Sequence, residues 1–195
     1  GEELTIERKG QRFVTRQTNR GVHFALEAAA AFESAAAFLG DTFDGLKSAE
    51  VLAKLPPVFA RGERVTVRGR AAEFNLVQNP GSMQLNIDAL DGDPDQIFFA
   101  IGRDVHDPSW LWTVDYSNLK NVSVVSGFNA AEAALVLEYH GVNYDKVIED
   151  LDEALEYFFS LPDPKRGVKT VIFSADAMRR TRRALGFWSP ETSAA

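Results

Sequence analysis

The spacing of hydrophobic residues predicts two helices in the first quarter of the chain, after a short hairpin. Residues 4–16 alternate weakly between apolar and polar positions, which indicates paired strands. Apolar positions recur at helical spacing over residues 21–39, and Gly40 ends that predicted helix. A second helix is predicted over residues 45–54, because the proline at position 56 disfavours a helical residue before it.

Strand and helix patterns alternate along the rest of the chain. Gly69 and Arg70, between strand-like runs, form either a turn or a linker, and we place a domain boundary at about residue 70. Strands are predicted at 64–68, 72–77, 97–101, 111–114, 122–125 and 169–173. Helices are predicted at 82–90, 130–140, 145–159 and 175–185. This alternation predicts an α/β fold, an open Rossmann-like sheet with helices on both faces.

Composition and charge exclude several function classes. The chain has 195 residues and a net charge of −7, which argues against a nucleic-acid surface. It has no cysteine, which excludes a thiolate nucleophile and cysteine zinc sites. No apolar run approaches the roughly 20 residues of a membrane span, so we expect no transmembrane segment. The basic cluster Arg179, Arg180, Arg182 and Arg183 fits the exposed face of the last helix, and residues 189–195 read as a disordered tail.

Asn79, Pro80 and Gly81 stand between a predicted strand and a predicted helix. Ligands of α/β folds bind at the carboxyl ends of strands, and the amides that begin a helix suit an anion. The same three residues are also a common turn signal, and the sequence alone favours the simple turn.

Residues 102–115 combine several acids with two tryptophans directly after a predicted strand. Either this is a functional loop, or Trp110 and Trp112 anchor the segment while its acids are solvated. His106, Asp107 and Ser109 do not predict a hydrolase triad, because triads are assembled from distant segments. The alternative, in which a carboxylate of this segment orients a histidine of another chain, has a sounder mechanism than such a triad.

Other sites for chemistry are weaker. Asn129 and Glu132 have the spacing of a capping box at the helix predicted from residue 130. The three histidines are scattered and predict no metal site. The chain has no GxxxxGK[ST] loop, so it cannot hold ATP phosphates in that way.

Three motifs in order resemble the C-terminal part of MurT, the Mur-ligase-like subunit of lipid II isoglutaminyl synthase. They are Leu-Val-Gln-Asn-Pro-Gly at 76–81, Asp-Pro-Ser-Trp-Leu-Trp-Thr-Val-Asp at 107–115 and Ser-Gly-Phe-Asn-Ala at 126–130. Residues 59–64 resemble the end of the Mur central domain, and residues 21–23 resemble the start of its last helix. The resemblance covers about residues 20–185, and its specific part is the Ser-Trp-x-Trp segment.

Five positions depart from the family pattern. Gln78 replaces a lysine, Thr113 replaces an aspartate, and Asn129 stands where an arginine is common. Phe24 and Glu27 replace two asparagines that lie near the nucleotide in Mur ligases, which weakens any expectation of ATP contact there.

The resemblance implies a fold and an activity. Residues 1–70 would be the end of a Mur central domain, and residues 71–188 a C-terminal α/β domain of the Mur ligase type. The family is an ATP-dependent amidoligase that, with a GatD-type glutaminase, converts the D-glutamate α-carboxylate of lipid II to D-isoglutamine in the cytoplasm. ATP and Mg²⁺ are expected in the full-length protein. None is expected to bind tightly to this chain, which lacks the phosphate loop and the family's four-cysteine zinc ribbon and so cannot work alone.

The resemblance also implies roles for residues. Asp107 matches the aspartate that is thought to complete the glutaminase Cys–His pair. The remaining expected contacts are with substrate or nucleotide (Asn79, Pro80, Gly81 and His23) and with the partner (Ser109, Trp110 and Trp112). Two alternatives stay open: a non-catalytic Mur-like interaction domain, and a folylpolyglutamate synthase relative, against which the Ser-Trp-x-Trp segment argues.

Overall fold

The computed structural model describes residues 2–17, 19, 21–57, 59–90 and 94–187. The chain divides into two compact units, Gly1–Val58 and Phe59–Ala195. The predicted tail, residues 189–195, lies outside the described residues. The assignment of residues 1–70 to the end of a central domain stays a prediction.

The first unit is a hairpin with two helices, as the sequence predicts. Its elements are β1 (Glu2–Arg8), β2 (Gln11–Gln17), α1 (Val22–Leu39) and α2 (Gly45–Leu52), with β1 antiparallel to β2. Gly40 ends α1 with a positive φ of 55°, a conformation that glycine adopts without a steric cost. Ile6, Phe13, Phe32 and Ala49 form its small core.

Helix α1 leaves most of its apolar surface uncovered, since of its residues Phe32 and Ala36 alone are buried. Within Val22–Thr42, a window of 18 residues has a mean hydropathy of 1.3, so that by length and composition alone this helix could cross a membrane. The statement that no apolar run approaches the length of a membrane span therefore does not hold for this helix, whereas the expectation of no transmembrane segment stays a prediction. The helix remains weak evidence for a span, because helices of soluble proteins pass the same test and Glu27 and Glu33 lie within it.

The second unit is a six-stranded sheet with helices on both faces, which confirms the predicted α/β fold. Its strands are β3 (Arg61–Val67), β4 (Arg70–Leu76), β5 (Ile97–Ala100), β6 (Asn121–Ser126), β7 (Asn143–Ile148) and β8 (Lys169–Phe173). The strand order is β3-β4-β8-β5-β6-β7, with β3 antiparallel to β4 and the other neighbours parallel.

The four helices of this unit pack in two pairs on opposite faces of the sheet. They are α3 (Pro80–Asp88), α4 (Ala130–Tyr139), α5 (Leu151–Ser160) and α6 (Ala175–Ala184). One hydrophobic cluster contains side chains of α3 and α4, and a separate cluster contains those of α5 and α6. β5 and β8 are buried along their whole length, as is typical of central parallel strands.

The predicted elements are wrong at two places in this unit. Residues 111–114 are no strand but part of a 3₁₀ helix, Pro108–Thr113, because Asp107 caps its start and proline suits its first position. The helix predicted over 145–159 is shorter, since its first residues belong to β7 and Asp150 caps α5 through the Glu153 amide.

The segment around residue 70 is a turn and not a linker. Arg68 and Gly69 have positive φ values of 50° and 81° and connect β3 to β4 in one hairpin. β3 is therefore part of the same sheet as β4, and the compact unit begins at Phe59, upstream of the predicted boundary.

Arg182 differs from the other arginines of the predicted basic face, because it is only 7% exposed. Its Nη1 donates to Glu63 Oε2 at 2.6 Å. Its guanidinium also lies 5.9 Å from the Phe59 ring centre and 5.8 Å from that of Phe187. The expectation that all four arginines are solvated is therefore wrong for Arg182, which joins α6 to the start of β3.

Candidate functional site

The carboxyl ends of β5 and β8 lie side by side at one edge of the sheet. The chain leaves β5 toward the face of α3 and α4, whereas it leaves β8 into α6 on the opposite face. Segments that leave neighbouring strands toward opposite faces border a crevice, which is where ligands of α/β folds bind. The candidate site is therefore centred on this edge.

Two side chains of the protein itself bridge this crevice. Ser174 Oγ accepts from the Gly102 amide at 2.8 Å and donates to Asp104 Oδ1 at 2.6 Å. Asp104 Oδ2 accepts from the Ala175 amide at 2.9 Å, in the first turn of α6, where a negative charge is stabilised by the helix dipole. An anionic ligand would find this amide already bonded to Asp104. The bridge instead fixes the segment that leaves β5.

Asn129 fixes the same segment from the other side. Its Nδ2 donates to the carbonyl oxygens of Gly102 at 2.9 Å and Val105 at 3.0 Å. It makes no side-chain cap on α4, so the predicted capping box is wrong. Glu132, the other residue of that prediction, accepts from Trp112 Nε1 at 2.6 Å. Both side chains hold the segment against α4.

Asp107 is presented at the end of this anchored segment, immediately before the 3₁₀ helix, and is exposed. Its Oδ1 accepts from the Ser109 amide at 2.9 Å. Hydrogen bonds from Ser109 lower the pKa of the Asp107 carboxyl, so that it stays ionised at lower pH than a free aspartate. A fixed, exposed carboxylate can accept an imidazole N–H and hold the ring in one tautomer.

Both tryptophans of the 3₁₀ helix are partly buried and pack against the core. Trp112 also meets Tyr139 edge-on, with ring centres 5.3 Å apart, and Leu111 between the two tryptophans is fully buried. The two interpretations of this loop that the sequence leaves open, a functional loop and a segment anchored by its tryptophans, are therefore compatible. The tryptophans anchor it, and the anchoring leaves Asp107 exposed in a defined position.

The profile of the MurT ligase C-terminal family matches residues 76–174, which are 99 of the 195 residues. The chain belongs to this family. The match extends from the end of β4 to Ser174, and so it contains both anchors of the loop and Asp107 itself. No functionally curated protein sequence matches the chain significantly.

Solved structures share the fold of this MurT ligase chain. The pseudomurein peptide ligase type C of Methanothermus fervidus has a TM-score of 0.66 at 13% identity, over 94% of this chain and 39% of that one. MurF of Acinetobacter baumannii has a TM-score of 0.69 at 16% identity, over 94% and 41%. Mycobacterium tuberculosis folylpolyglutamate synthase, solved with ADP and AMPPCP, has 0.61 at 19%, over 93% and 47%. Such identities show the fold alone, and the chain spans less than half of each protein.

The predicted ligand turn of the MurT ligase domain, Asn79 to Gly81, begins α3 at the end of β4. Asn79 Oδ1 accepts from the Ser82 amide at 2.8 Å, and Ser82 Oγ accepts from the amides of Gln78 at 2.9 Å and Asn79 at 3.1 Å. Pro80, at the first helical position, has no amide hydrogen to offer. These three amides are thus bonded within the turn. A ligand role for Asn79, Pro80 and Gly81 stays a prediction.

His23, the remaining predicted ligand residue, lies near the start of α1, in the first compact unit. Burial lowers the pKa of its imidazole, and the nearby Glu27 carboxylate partly opposes this. Its Nδ1 has no hydrogen-bond partner within the described part of the chain. The other predicted residues of the MurT ligase site belong to the second unit, and the role of His23 stays a prediction.

Proposed function

We propose that this chain is the C-terminal part of an ATP-dependent amidoligase subunit that works with a GatD-type glutaminase. The complete pair would amidate the D-glutamate α-carboxylate of lipid II to D-isoglutamine in peptidoglycan synthesis. ATP, when bound in the full-length protein, would activate that carboxylate toward ammonia. Because the reaction consumes ATP and glutamine, the proposal places the protein in the cytoplasm.

The single observation that carries the proposal is the presentation of Asp107. It is an exposed carboxylate at the end of a segment fixed by Asn129 and by the bridge of Asp104 and Ser174. A carboxylate needs this combination of exposure and fixed position to act on an imidazole of another chain. The family match that includes Asp107 supports the same role.

The proposed role of Asp107 is to orient the histidine of the glutaminase. That imidazole would take the proton of the cysteine thiol, and the thiolate would attack the carboxamide carbon of glutamine. The imidazolium would return that proton to the amide nitrogen, so that the C–N bond breaks and ammonia leaves. Water, deprotonated by the same imidazole, would then hydrolyse the thioester, which releases glutamate and restores the thiol. The carboxylate is neither protonated nor consumed, since it holds the imidazole in one tautomer and stabilises the imidazolium.

The starts of α3 and α6, where a phosphate could bind, do not fit the phosphates of ATP. The sequence has no Gly-rich phosphate loop. Backbone amides at the starts of α3 and α6 are bonded to Ser82, Asn79 and Asp104. Among the described residues, no group of three or more His, Asp or Glu side chains is arranged to hold a metal ion. The proposal therefore assigns nucleotide and Mg²⁺ binding to the rest of the full-length protein.

The test is Asp107→Asn in the full-length protein, assayed with its glutaminase for amidation of lipid II. Asparagine keeps an oxygen for the Ser109 amide but loses the charge, so the loop should stay in place. Glutamine-dependent amidation should fall by about 10²–10⁴-fold, as expected when a carboxylate that orients histidine is neutralised. Amidation driven by free ammonia should be unchanged.

Asp115→Asn is the matched control. Asp115 is also exposed, and its Oδ1 accepts from the Ser117 amide at 2.9 Å, the same local geometry as in Asp107 and Ser109. This variant should keep both activities. Equal loss of the two activities in Asp107→Asn, or full retention of both, would refute the proposed role of Asp107. Absence of both activities in the unaltered full-length protein with its glutaminase would favour the non-catalytic interaction domain.

A further inference from the structure

Helix α4 has one buried face and one uncovered apolar face. Its buried residues are Ala130, Ala133, Ala134, Val136 and Leu137. Phe128, just before the helix, is 68% exposed, and Leu135 and Tyr139 are 52% and 75% exposed. Together with Ala131 they recur at intervals of three and four residues, so they form one line along the helix. We call Phe128, Ala131, Leu135 and Tyr139 the α4 stripe.

The α4 stripe lies on the same surface as the loop that carries Asp107. At one end, the Arg103 guanidinium lies 5.5 Å from the Phe128 ring centre. At the other end, Trp112 meets Tyr139. Asn129, adjacent to Phe128, bonds the carbonyl oxygen of Val105, two residues before Asp107. A protein that covers the stripe would therefore also reach the exposed carboxylate.

Acidic residues border the stripe. Glu132 and Glu138 lie on α4 itself, and the sequence of residues 128–140 contains no lysine or arginine. Asp104 and Asp107 lie on the neighbouring segment, residues 102–113, in which Arg103 is the one lysine or arginine. An apolar and aromatic centre within a charged rim is the usual composition of a protein–protein interface.

The charge of this rim decides between possible occupants. An anionic membrane surface would be repelled by it. A second copy would oppose acids to acids, in a chain whose net charge is −7. The stripe is a line along a helix surface, whereas small ligands bind in concave pockets, and none of the described pockets is lined by its residues. A partner protein with an apolar face and lysine or arginine around it fits all three observations.

We infer that the α4 stripe is the docking surface for the glutaminase subunit, which presents an apolar face with a cationic rim. This inference rests on the proposed function, and it adds where the partner binds and with what chemistry. Docking along the stripe would bring the partner's histidine to Asp107, because both features are on one surface. Aromatic residues in such a line carry much of the binding energy of an interface.

The experiment measures binding of the 195-residue chain to the purified GatD-type glutaminase of the same organism by calorimetry. Leu135→Ser combined with Tyr139→Ser should weaken the affinity by about tenfold or more. Glu138→Lys should weaken the affinity at low salt. The difference in affinity between this variant and the unaltered chain should become smaller at high salt, because salt screens the charges. Phe38→Ser is the control, since Phe38 is 91% exposed but lies on α1 in the other compact unit. Thermal unfolding establishes that each variant is folded.

Each outcome decides one question. Weaker binding in the stripe variants but not in Phe38→Ser supports the inference. Unchanged affinity in the double variant overturns it and leaves the glutaminase partnership standing. Equal weakening in Phe38→Ser also overturns it, because the effect would not be specific to the stripe. Absence of binding by the unaltered chain overturns the proposed function and this inference together, and self-association lost in the double variant would assign the stripe to a second copy.

Discussion

The side-chain amide of Asn129 donates to the carbonyl oxygen of Val105 across 3.0 Å, and this bond ties the start of α4 to the loop of Asp107. The same nitrogen also donates to the Gly102 carbonyl oxygen at 2.9 Å. One amide therefore satisfies two carbonyl groups of a segment that has no regular structure of its own. The position of the exposed carboxylate depends on this bond.

Asn129→Ala should destabilise the second unit by about 1–3 kcal/mol, because two carbonyl groups lose their shared donor in a partly buried place. Urea unfolding of the chain measures this loss. Asn118→Ala is the control, since Asn118 Nδ2 donates to Asp88 Oδ1 at 3.0 Å on the exposed surface. Asn118→Ala should change the free energy of unfolding by no more than about 0.5 kcal/mol. Similar losses for the two variants would contradict the anchoring role of Asn129.

Gly127→Ala should destabilise the protein more than Gly141→Ala. Both glycines have positive φ values, 92° and 72°, so each variant should lose about 1–2 kcal/mol from backbone strain. A Cβ at Gly127 would also lie 2.5 Å from the Ile101 carbonyl oxygen, whereas a Cβ at Gly141 meets nothing within 4 Å. The difference between the two free energies of unfolding isolates the steric contact. Equal values would show that the chain relaxes around residue 127.

Lys169 predicts a pH dependence of stability. Its side chain is fully buried, and its Nζ donates to the Phe158 carbonyl oxygen at 3.1 Å and to the Gln96 side chain. Burial, and then the nearby Arg70 charge, lower the pKa of Lys169 from 10.5 to about 8. The unfolded chain therefore binds more protons between pH 8 and 10.5, and stability contributed by this residue should rise with pH across that window.

The measurement compares urea unfolding of the natural chain and Lys169→Met between pH 7 and 10.5. The free energy of unfolding of the natural chain should rise by about 2 kcal/mol relative to the variant, after allowance for screening by neighbouring charges. Other titrating groups are common to both proteins and cancel in the difference. Parallel curves would mean that Lys169 titrates normally in the folded chain.

Much of the fold follows from local patterns. β5 and β8 are short apolar runs buried on both faces, and α1 is marked by its helical spacing and by Gly40. β7 was missed because Asp145 and Lys146 are exposed on an edge strand, which gives it no apolar alternation. Its place as a strand depends on pairing with β6, a contact that the local sequence does not encode.

The candidate site was only partly predictable for the same reason. Asp107 and its tryptophans stand out as acidic and aromatic residues after a strand. Asn129 has the local signature of a helix cap, but its side chain bonds carbonyl groups 24 and 27 residues earlier in the chain. The bond from Ser174 to Asp104 spans 70 residues. Such partners become neighbours only when the sheet has formed.

The last of the described strands in chain order, β8, lies in the interior of the sheet, between β4 and β5. Until residue 173 has left the ribosome, the nascent chain can form the β3–β4 hairpin and the β5–β6–β7 ribbon only as separate pieces, each with an open strand edge. Such edges are prone to pair with other chains. β8 joins the two pieces and brings Ser174 to Asp104 in the same event. Synthesis of β8 and assembly of the Asp107 loop are therefore coupled.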